Sequence, residues 1–129
     1  MNNFDYDTTP VSQKYETTFY LGKEIVKRYL LALGLKDTNS IIPSSIFLVY
    51  HHWNATIGSP IPGTIHLKQN IEYFAKPKVD DLYDVVITIT DKYKKSNRNY
   101  LVFETEFFKE KKLYCKQITT YLWGFANGS

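Results

Sequence analysis

The chain has 129 residues, 43% of them hydrophobic and 22% charged, with a formal net charge of +3. That length fits one domain burying roughly two thirds of its unfolded surface, and lysines interspersed with acids do not build the basic face a nucleic-acid groove needs. The single Cys115 excludes an intramolecular disulfide and a multi-cysteine zinc site, and the polar start MNNFDYDTTP is unlike a signal peptide, so a cytoplasmic location away from any membrane is expected.

Residues 1–13 have no apolar periodicity and are expected as a loose N-terminal arm or a short edge strand ahead of a single domain over 14–129, in which Lys14–Phe19 reads as an edge strand. A helix is predicted from Gly22 to Leu33, because Ile25, Val26, Tyr29, Leu30 and Leu33 recur on one face while Lys23, Lys27 and Arg28 fall away from it. Gly34 is the natural left-handed cap, with Leu35 placed for the accompanying apolar contact. Residues 36–43, KDTNSIIP, form a connector rich in turn residues.

The segment 44–58, SSIFLVYHHWNATIG, reserves no face for water: Ile46, Phe47, Leu48, Val49, Tyr50, Trp53, Ala55 and Ile57 surround the helical axis. A helix apolar on every side is a buried one, and about fifteen residues are too few to span a bilayer. Ser44 or Ser45 is expected to cap it. Gly58-Ser-Pro-Ile-Pro-Gly63 stops it.

Four strands are predicted after that stop, over 64–74, 82–92, 100–108 and 113–123. In the first, Ile65, Leu67, Ile71 and Tyr73 alternate with His66, Lys68, Asn70 and Glu72, the period of a half-buried strand. Lys94–Asn99 and Lys109–Lys112 are the hairpin connections. The order of elements gives an α+β fold, an antiparallel sheet wrapped around a long central helix. One curved layer leaves such a helix partly uncovered, which calls for a second subunit.

Three stretches carry a resemblance to a known family: ALGLKDTN (32–39), IIPSSIF (41–47) and TIHLKQNIEYFAKPKVDDLYDV (64–85). Over about residues 14–125 the chain resembles the MaoC-like branch of the hot-dog fold, the (R)-specific enoyl-thioester hydratases and dehydratases, and most of all their dehydratase-like N-terminal half. His66, Gln69, Tyr73, Pro77, Asp81 and Leu82 fall in step with the family's run. The resemblance implies a hot-dog fold, an acyl-CoA or acyl carrier protein thioester as ligand, and no cofactor or metal. It also implies that the start of the central helix receives the acyl carbonyl, through free backbone N–H groups rather than serine hydroxyls, so Ser44, Ser45 and Asn39 are the candidate thioester-binding residues.

Active members of that family carry an Asp and a His five residues apart. Here Asp37 and Asn39 stand in plausible places, Ser40 replaces the proline, and Ile42 occupies the histidine position. Isoleucine cannot carry a proton, so the dyad reads as broken. The candidate catalytic residues are Asp37 and, as a displaced partner, His66, whose simpler reading is a histidine on the polar face of its strand. His51 and His52 are consecutive and cannot act as paired ligands on one helical face. Glu104 and Glu106 read as surface carboxylates and Cys115 as packing. The expected function is an acyl-thioester-binding subunit without the dyad, a homodimer or a heterodimer with a catalytic hot-dog subunit. The alternatives are an active hydratase using Asp37 and His66, and a non-catalytic ligand-sensing dimer.

Overall fold

The computed structural model describes residues 4–35, 41–50 and 60–124. Its elements are β1 (Lys14–Tyr20), α1 (Lys23–Ala32), a 3-10 turn (Ser44–Val49), β2 (Ile65–Tyr73), β3 (Leu82–Lys95), β4 (Arg98–Lys109) and β5 (Lys112–Trp123). The five strands form one antiparallel sheet in the order β1-β3-β4-β5-β2.

Strand alternation divides the sheet into two faces, and the register fixes which residues share one. Tyr15, Thr17 and Phe19 of β1 stand opposite Ile87, Val85 and Tyr83 of β3. These lie opposite Thr105 and Phe107 of β4, which lie opposite Gln117 and Cys115 of β5. This inner face holds the core. Phe19, Phe47, Tyr50, Tyr83 and Phe107 meet there with ring centroids 5.0–6.5 Å apart, mostly edge to face, the arrangement that aromatic quadrupoles favour. The outer face carries Val86, Thr88, Val102, Glu104 and Glu106, all half-buried. Glu104 is tied there to Lys116 at 2.7 Å, as the surface reading of these carboxylates expected.

Helix α1 has the predicted extent and buries Val26 and Leu30. Its end is a Schellman cap: the Leu35 N–H reaches the Leu30 carbonyl at 2.9 Å and the Gly34 N–H reaches Leu31 at 3.0 Å. Gly34 sits at φ +76°, where a side chain would be strained. Leu33, expected on the buried face, is exposed, because it is the cap residue at which the chain already turns away.

The segment 44–58 departs from a regular helix where it is described. Ser44–Val49 is a six-residue 3-10 turn, and Tyr50 is already extended at φ −68°, ψ 126°; positions 51–58 lie outside the described residues. Ile46 and Phe47 are fully buried and Tyr50 nearly so, whereas Leu48 is half in solvent. The capping expectation is corrected here. The N-cap is Pro43 with no side-chain cap bond, and Ser44 and Ser45 are the first two residues of the turn itself.

From Phe4 onward the expected loose arm is anchored. Phe4 packs edge-on against Trp123 at 5.1 Å, and Tyr6 stacks on the same indole at 6.4 Å. The Tyr6 hydroxyl donates to the carbonyls of Tyr93 and Tyr100, and the Lys92 ammonium donates to the carbonyls of Tyr6 and Thr9. A polar sequence hid this because two aromatic rings and backbone acceptors do the anchoring without apolar periodicity.

Candidate functional site

Two regions of the inner face carry polar chemistry. The first is the start of the 3-10 turn, where the Tyr29 hydroxyl of α1 and Ser45 Oγ are 2.5 Å apart, either one able to be the donor. Both residues are half-buried. Ile42, just upstream, packs against the core cluster. The second is a polar row across β4, β5 and β2. The Gln117 side-chain amide donates to the Phe47 carbonyl at 3.2 Å, and its oxygen accepts from Gln69 Nε2 at 2.7 Å. Gln117 is 2% exposed, so this chain of hydrogen bonds fixes the 44–50 segment to the edge of the sheet from within. Thr105 and Thr119 flank it on the same face, fully buried, and their hydroxyls have no hydrogen-bond partner among the described residues.

His66 is on the inner side. A bulge between His66 and Lys68 inserts Leu67 as an extra residue, so His66 pairs with Tyr121 while Gln69 pairs with Thr119. The imidazole lies 5.2 Å from the Tyr121 ring, which in turn stacks on Phe103 at 5.7 Å. Simple alternation put His66 on the polar face; the bulge reverses that phase. Nevertheless His66 is exposed. Along β5, Tyr121 stands four residues beyond Gln117, which bonds Phe47, a span of about 14 Å at strand rise. Thus the described site brings Ser45 together with Tyr29 but leaves His66 toward the other end of the sheet. Ser44 is half-buried at the first position of the turn. Asp37 and Asn39, the remaining candidates, lie outside the described residues.

Asp81 and Cys115 complete the titratable interior. Asp81 is 5% exposed and receives the Lys109 ammonium at 2.6 Å, the Tyr83 hydroxyl at 2.7 Å and the Lys78 N–H at 2.9 Å. Burial alone would raise its carboxyl, but these three donors outweigh burial and hold it below the usual carboxylate value. Burial, then the Asp81 bond, pushes the Tyr83 phenol far up. Such a group closes a loop rather than moving protons: the Asp81 carbonyl accepts from Leu21 and the Asp80 N–H returns to the Leu21 carbonyl, both at 2.8 Å. Burial raises the Cys115 thiol to about 11, which agrees with packing rather than nucleophilic use.

Sequence reasoning missed Gln117 and the Tyr29 hydroxyl. The signal for Gln117 was present, a long amide on the core phase of a strand between Cys115 and Thr119. Tyr29 was placed on the helix's buried face, but its hydroxyl's partner is set by tertiary packing alone. Among the described residues no three His, Cys, Asp or Glu side chains are grouped to hold a metal ion, and no helix is long and apolar enough to cross a membrane.

No family profile and no curated protein matches the sequence. Solved structures do. The (R)-hydratase PhaJ1 from Pseudomonas aeruginosa superposes with a TM-score of 0.71 at 19% identity, over 94% of this chain and 86% of that one. The (3R)-hydroxyacyl-ACP dehydratase complex HadBC from Mycobacterium tuberculosis gives 0.68 at 11% identity, over 89% and 98%. A MaoC-like dehydratase from Rhodospirillum rubrum gives 0.69 at 6% identity, over 89% and 93%. These likenesses show an α+β hot-dog fold. Its form is that of the MaoC-like dehydratases and (R)-hydratases, as the three sequence stretches implied.

Proposed function

We propose that this chain is an acyl-thioester-binding MaoC-like hot-dog subunit, taking an acyl group carried on coenzyme A or acyl carrier protein, and that it lacks the hydratase dyad and acts with a partner. The observation that carries the reading is Ile42. The position that the family resemblance gives to the catalytic histidine holds an aliphatic side chain packed against the core, so the scaffold is kept while the proton carrier is not. Ser44, Ser45 and Asn39 remain the proposed contacts to the thioester. The likeness to a dehydratase that is itself a complex, HadBC, supports a partner subunit, with a homodimer as the simpler form of the same idea.

The test has two parts. Butyryl-CoA at saturating concentration should raise the melting temperature, since a ligand that binds only the native state must stabilise it; an unchanged melting temperature refutes thioester binding. Crotonyl-CoA should be hydrated slowly or not at all by the purified chain, because positioned acid–base groups typically contribute 10²–10⁴-fold each. Turnover near about 10 s⁻¹, the median for enzymes, would refute the inactive reading.

A second reading, an active hydratase using Asp37 and His66, is favoured by the inner-face position of His66. Loss of any observed turnover in His66→Ala or Asp37→Asn decides for this alternative.

A further inference from the structure

We propose that Tyr29, together with Ser45, is the hydroxyl donor that receives the thioester carbonyl oxygen. The inference rests on the acyl-thioester reading above and adds a residue to it. Tyr29 and Ser45 lie 2.5 Å apart, one on α1 and one on the 3-10 turn. Two hydroxyls carry two hydrogens, and their mutual bond uses one. Whichever oxygen donates in that bond, the other hydroxyl keeps a hydrogen free to give to an acceptor. Among the described residues neither hydroxyl has another hydrogen-bond partner.

Both side chains are half-buried, a position that a small ligand can reach while much of the surrounding water is excluded. The acceptor this pair suits is neutral. In sequence, Ser45 is flanked by Ser44 and Ile46 and, one further out, by Pro43 and Phe47, all uncharged, while Arg28 beside Tyr29 is exposed. Ile42, three residues upstream, is an aliphatic side chain packed against the core cluster. A carbonyl attached to an apolar acyl chain matches a lone hydroxyl donor beside apolar walls; a phosphate or a carboxylate does not.

A residue that merely braces the turn and one that touches the carbonyl are separated by changing the ligand as well as the protein. Binding of butyryl-CoA, a thioester, is compared with S-butyl-CoA, a thioether of the same chain that has no carbonyl, in the wild type and in Tyr29→Phe. The expected result is that Tyr29→Phe weakens butyryl-CoA by about three- to tenfold, the range for one neutral hydrogen bond, and leaves S-butyl-CoA within about twofold. Ser45→Ala gives the same cycle from the other hydroxyl, should Tyr29→Phe fold poorly. Equal effects on both ligands, or no effect on either, overturn the role of the pair while leaving thioester binding intact. A wild type that binds neither ligand overturns the role and the thioester reading together.

Discussion

Asp81 shows how one buried carboxylate fixes a long connection. Its two oxygens take three donors from β3, β4 and its own loop, so residues 74–81 arrive at β3 in a defined position. Tyr83→Phe removes the donor from the interior and should cost about 1.5–3 kcal/mol, the range for a hydrogen bond to a charged group. The sign of its pH dependence follows from the lowered Asp81 value. A depressed carboxyl contributes stability above its unfolded value of 3.8 and loses it as pH falls through the lower folded value. The gap between wild type and Tyr83→Phe should therefore be full at neutral pH, begin to narrow below about pH 4 as Asp81 of the unfolded chain takes up its proton, and close once the pH falls past the lower folded value. Urea titrations at pH 7 and pH 3 measure it, and a gap that widens on acidification would contradict the assignment.

Among the elements, the hairpins and the 3-10 turn make separate predictions. Both hairpin turns use two residues of positive φ, Ser96 and Asn97 at 54° and 62°, then Glu110 and Lys111 at 50° and 67°. Primed turns match the twist of the flanking strands and favour Asn-Gly, whereas Glu and Lys pay a steric cost there. Changing Glu110→Asn with Lys111→Gly should stabilise the protein by about 0.5–1 kcal/mol, seen as a higher midpoint in thermal unfolding. Phe47→Ala, at a fully buried ring, should cost about 3–5 kcal/mol, against about 0.5 kcal/mol or less for the exposed Lys94→Ala. Equal melting temperatures would show that Phe47 is not core. The strands and α1 were legible because each has a clean period and a clear stop, Gly34 above all. The bulge at Leu67 was not legible, since a single inserted residue leaves the local pattern intact and reverses only what lies beyond it. His66 was therefore put on the wrong face. The same limit applies to the candidate site. Ser45 was found from its place at a segment start, but the hydroxyl it meets comes from sixteen residues away and from another element.

At the scale of the whole molecule, the edge of the sheet calls for a partner. Among the described residues strand β2 is bonded on one side only, and Ile65 and Leu67 are 40% and 49% exposed, with Tyr73 and Phe74 similarly open. An unprotected edge with apolar side chains is a surface that proteins cover. We expect sedimentation equilibrium at micromolar concentration to give a mass of at least twice 15.1 kDa, through an interface burying on the order of 1,600 Å². A stable monomer would refute it. Leu67→Lys, on the bulged stretch of that strand, should weaken association if β2 forms the contact. The docked arm has a consequence of a different kind. Phe4 and Tyr6 rest on Trp123, so a segment made before the sheet has its resting place on β5. On the ribosome these aromatic residues emerge ahead of β5 and lack that surface until β5 exists. The arm is thus a fastener set in place after the five strands have paired, and its docking reports that β5 has been delivered.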